Sequence, residues 1–73
     1  MVAVDATPFV KAVVAEGHSV QFANDLAKVV LQMANARGFP VQLGADVGGA
    51  GYSVRAGLQD GKLVLLDLQR VVG

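Results

Sequence analysis

The sequence predicts one α+β domain over residues 1–73: two N-terminal helices packed on a three-stranded antiparallel β-meander. Three observations carry this. Between residues 20 and 37 the polar side chains share one helical arc. Residues 41–47 and 52–58 alternate apolar with polar. Glycine, proline and an Asp-Gly pair fall between these stretches.

The opening Val2 to Val4 is a short apolar run and a candidate fourth strand. Thr7 followed by Pro8 has the form of a helix N-cap and first turn, where the missing proline N–H costs nothing. The segment FVKAVVAE follows, and Gly17 stops it. Its valines make it a poor helix in isolation, so it depends on packing. Ser19 is placed to cap a second helix running from Val20 to Arg37. At about 100° per residue, Gln21, Asn24, Asp25, Lys28, Gln32 and Asn35 fall within one arc. Apolar residues fill the rest, a face wide enough to touch both a sheet and the first helix. Gly38 ends this helix, Phe39 is positioned to fold back on Met33 or Ala34, and Pro40 prevents continuation.

Three strands follow. Val41, Leu43, Ala45 and Val47 form the inward set of the first, Tyr52, Val54, Ala56 and Leu58 that of the second, and KLVLLDLQRVV is the third. The intervening LQDGK admits two registers. A two-residue Asp60-Gly61 turn sets Leu63 and Leu65 beside Leu58 and Ala56 but brings Asp67 into the core opposite Val54. A three-residue loop with Gly61 left-handed pairs Tyr52 with Leu68, Val54 with Leu66 and Ala56 with Val64, and leaves Asp67 outside opposite Ser53. An unpaired buried carboxylate costs several kcal/mol, so the second register is expected. It turns Leu63 and Leu65 away from the helices, beside Arg55 and Gly57. Leu63, Leu65 and Arg55 are therefore the candidate partner contacts on the outer sheet face.

Residues 44–53, GADVGGAGYS, hold the densest glycines. A phosphate cradle requires successive backbone N–H groups converging on one concavity, commonly at a helix N-terminus. No GxxxxGK[ST] is present, Val54 stands where GxGxxG needs its third glycine, and a strand pattern follows. VGGAG, residues 47–51 within this stretch, reads as a hairpin loop, with Gly48, Gly49 and Gly51 as candidate contact residues. Small-ligand or phosphate binding through residues 44–51 is an alternative.

Six basic and six acidic residues balance, and no cysteine is present. The latter excludes disulfides, thiolate nucleophiles and cysteine-ligated metals. His18 has no evident nucleophile or co-ligands and reads as a junction residue between helices. Thr7 and Ser19 have capping positions, Ser53 reads as part of a cross-strand polar pair, and the carboxylates are scattered. No catalytic, metal or cofactor residue is assigned, and enzymatic activity is not expected. Arg55, Lys62 and Arg70 do not share one strand face, so nucleic-acid binding requires a surface built by a dimer and stands as an alternative.

Hydrophobic residues make up 53% of the chain and charged ones 16%. A domain of about 60 residues buries only about 60% of its unfolded surface, so apolar surface is left to share. Asp5, Lys11, Glu16, Asp25, Lys28 and Arg37 interrupt every run that approaches the ~20 residues of a membrane span. The N-terminus lacks the basic start of a signal peptide. The expectation is a cytoplasmic, non-enzymatic protein–protein interaction module, homo-oligomeric (a homodimer in the simplest case). Its expected role is that of an inhibitor or accessory subunit of a larger complex, of the anti-defence kind that phages and mobile elements encode.

Overall fold

A computed structural model of the chain describes residues 4–47 and 49–71. Helix α1 spans Thr7–Ala15 and helix α2 spans Val20–Arg37. Strands β1 (Val41–Val47), β2 (Ala50–Gln59) and β3 (Lys62–Val71) form one antiparallel sheet in the order β1-β2-β3. The expected α+β layout is the one observed. No described helix is long and apolar enough to cross a membrane.

Both helices lie on one side of the sheet, α1 against β3 and α2 against β1, and they also pack on each other. Phe9 and Val13, one turn apart on α1, point inward with Ala23, Leu26, Ala27 and Val30 of α2. They meet Val41 and Leu43 of β1, Val54 and Ala56 of β2 and Leu63 of β3. Each fully buried valine, leucine or phenylalanine here contributes about 1.5–3 kcal/mol. The polar arc of α2 is solvent-facing, as its spacing requires: Gln21, Asn24, Asp25, Lys28, Gln32 and Asn35 are all exposed.

The helix ends follow local hydrogen bonding. Ser19 caps α2, its Oγ accepting from the Phe22 N–H at 3.1 Å. Gly38, at φ 83°, ends α2, and its N–H donates to the Ala34 carbonyl at 2.7 Å. Phe39 then packs half-buried against the core. At α1 the expected cap is displaced. The helix begins at Thr7 with Ala6 at the N-cap position, and the acceptor is Asp5, whose Oδ1 receives the Thr7 N–H at 3.0 Å. A carboxylate near the positive end of a helix is favoured, and its charge strengthens the bond it accepts.

Of the candidate N-terminal strand, residues 2 and 3 lie outside the described residues, and Val4 belongs to no strand. Its successor Asp5 makes a single parallel bridge to Lys62. The Asp5 N–H donates to the Gly61 carbonyl at 3.1 Å and the Leu63 N–H to the Asp5 carbonyl at 2.9 Å.

The β2–β3 register corrects the sequence reading. The turn is the two-residue one: Asp60 (φ 53°) and Gly61 (φ 73°) are both left-handed, and Gln59 pairs with Lys62. This is the mirror-image turn whose twist matches that of the strands it joins. Leu58 then pairs with Leu63, Gly57 with Val64 and Ala56 with Leu65. Asp67 nevertheless stays out of the core. The ladder shifts between Arg55 and Ala56, Leu66 is left without a partner, and Asp67 pairs with Arg55 and Leu68 with Val54. One extra residue reverses the alternation of everything after it.

Candidate functional site

With helices on one face only, the other face of the sheet is composed by alternation. From β1 it takes Gln42, Gly44 and Asp46. From β2 it takes Gly51, Ser53, Arg55, Gly57 and Gln59. From β3 it takes Lys62, Val64, Leu66, Asp67, Gln69 and Val71. No described element covers it. Leu66 and Val71 are 55% and 52% exposed, and Val64 is half-buried. Leu66 lies over Gly57 of the neighbouring strand: a Cβ added to Gly57 would lie 3.3 Å from Leu66 Cδ1. At the β1 side, Pro40, Val41, Gln42, Arg55 and Leu66 line an open, shallow depression.

The candidate contacts are redistributed accordingly. Arg55 is exposed on the outer face as expected. Leu63 is wholly buried beneath the helices, and Leu65 packs half-buried against the same core. Both corrections follow from the two-residue turn, which shifts β3 by one position and exchanges its faces. Leu66 stands outside in their place. Its signal in the sequence was the pair of leucines ahead of Asp67, a phase slip that a bulge resolves.

The glycine stretch is shorter as a loop than expected. Val47 already pairs with Ala50, Gly49 (φ 82°) is exposed in the turn, and Gly48 lies outside the described residues. Gly44 and Gly51 are within strands, paired with Ser53 and with both Asp46 and Val71.

The chain matches no family model, no curated protein and no solved structure.

One cluster of rings lies on the helix side. The His18 ring is 4.4 Å from that of Phe22 and 5.3 Å, edge-on, from that of Tyr52, with Phe22 and Tyr52 5.2 Å apart. Such tilted and edge-to-face pairs add to the burial of the rings themselves. They tie the α1–α2 junction to β2. Among the described residues no three His, Cys, Asp or Glu side chains gather, and no polar side chain is buried.

One carboxyl is perturbed. The Thr7 side chain, then the Thr7 N–H, lower the Asp5 pKa from its ordinary value; partial loss of solvent opposes them, and the charges of Lys62 and Lys11 assist. This is the electrostatics of a helix cap.

Proposed function

We propose that this chain is a non-enzymatic protein–protein interaction module that works by presenting the outer face of its sheet to a protein partner. The observation that carries the reading is the uncovered face itself, with Leu66 and Val71 each more than half exposed on one strand. Exposed apolar side chains set among polar ones on an uncovered sheet face suit a docking surface, here with Asp67 and Gln69 between Leu66 and Val71. Arg55 at the centre supplies the type of side chain that anchors interfaces. Its mode of action is that of an inhibitor or accessory subunit, which occludes or bridges a larger complex without chemistry of its own.

The test compares wild-type protein with a Leu66→Lys, Val71→Lys variant as bait in extract from the source cell. The expected result is a partner retained by wild type and lost by the variant, with both melting at similar temperatures. Equal retention by the two baits would refute the outer face as the working surface.

A further inference from the structure

We infer that the partner seated on this face is a second copy of the chain, related by a two-fold axis running along the strands between β2 and β3. The inference rests on the outer face being the working surface, and it names the occupant.

The charge on this face is complementary to itself. A two-fold in that position lays β2 of one copy over β3 of the other, so each residue faces its own cross-strand partner's counterpart. The pairs on this face are Gly51 with Val71, Ser53 with Gln69, Arg55 with Asp67, Gly57 with Val64 and Gln59 with Lys62. The central one, Arg55 with Asp67, joins cation with anion. The four central charges alternate around a square, so each Arg55 has an Asp67 beside it and another above it. An axis through β2 itself would instead stack Arg55 on Arg55, and complementary charge fixes the register by excluding it. The chain as a whole carries no net charge to oppose pairing.

The contact is modest. Two strands about 4.8 Å apart and about 33 Å long present a flat footprint on the order of 300 Å², against roughly 800 Å² per partner in a stable interface. The dimer is therefore a reversible one that forms at high concentration.

The deciding experiment is sedimentation velocity up to about 1 mM chain with two opposite charge reversals, Arg55→Asp and Asp67→Arg. Each alone sets like charges against each other and is expected to weaken self-association at least about tenfold. Mixed in equal amounts, the two variants associate with each other. The double swap Arg55→Asp, Asp67→Arg associates with itself like wild type, showing that the fold tolerates both changes. A wild type that stays monomeric, reversals that self-associate like wild type, or a mixture that does not associate would each overturn the inference. The extract experiment separates the levels. If the second copy fails but Leu66→Lys, Val71→Lys still releases a different protein, the face is right and the occupant wrong. A wild-type dimer indifferent to all these substitutions defeats both.

Discussion

Arg55 in β2 and Asp67 in β3 stand directly opposite each other on the uncovered side of the sheet, one step beyond the unpaired Leu66. If Leu66 took a regular ladder position opposite Arg55 instead, the Asp60-Gly61 turn would oppose Asp67 to Val54, in the core. Removing Leu66 without letting the facing change is thus a test of the bulge. In a Leu66 deletion the remaining residues close up into a regular ladder, with Ala56 still opposite Leu65 and Arg55 opposite Asp67. The deletion is expected to fold, and cross-strand nuclear Overhauser contacts between residues 55 and 67 should persist. An unfolded chain, or an Asp67 turned inward, would contradict this account.

Burial separates two leucines that stand three positions apart. Leu63→Ala should cost about 2–5 kcal/mol, since it empties a fully enclosed site. That is a large part of the ~5–15 kcal/mol that holds a small domain together. Leu66→Ala, on the open face, should change stability by less than about 1 kcal/mol. Urea titration of the two variants gives the comparison. Equal losses would mean that β3 faces the other way.

The β2–β3 turn makes a separate demand on the backbone. Asp60→Asn should be neutral or slightly stabilising, because asparagine accepts the left-handed conformation at least as well as aspartate. Gly61→Ala should cost about 1–2 kcal/mol for placing a Cβ at positive φ. Thermal melting resolves both. A tolerated Gly61→Ala would argue for a different loop.

The cap at Asp5 predicts a pH dependence. Its folded-state pKa is lowered, so the stabilisation it provides is complete above the ordinary aspartate value of about 3.9 and is lost as pH falls through the lower folded value. Asp5→Ala should melt below wild type near neutral pH. The gap should narrow as pH falls below the ordinary aspartate value and through the lowered folded one. A gap independent of pH would assign the effect to something other than the ionised cap.

Much of this architecture was legible because local chemistry leaves little choice. Ser19 and Gly38 mark the ends of α2, its polar arc names the exposed side, and the alternation from Val41 to Ala45 and from Tyr52 to Ala56 names the inward residues. The facing of β3 was not legible. LQDGK is compatible with two turn lengths, and the cost of burying Asp67 was judged on a ladder without irregularities. The bulge removes that cost after the turn has been made, a compensation visible only when all three strands are in place. The outer-face residues inherited the same error, and Leu66 was missed for the same reason. The displaced cap is a smaller instance. Asp5 is held against the β3 edge by its backbone bonds to Gly61 and Leu63, and that long-range contact sets its carboxylate beneath the Thr7 N–H.

The ring cluster of His18, Phe22 and Tyr52 has a practical consequence. Tyr52 is the lone tyrosine in a chain without tryptophan, and it lies on the side of the sheet opposite Leu66 and Arg55. Its intrinsic emission therefore reports whether the helix junction is docked while remaining blind to what happens on the far surface. Folding and assembly, so often entangled in small proteins, have separate optical and hydrodynamic signatures in this molecule.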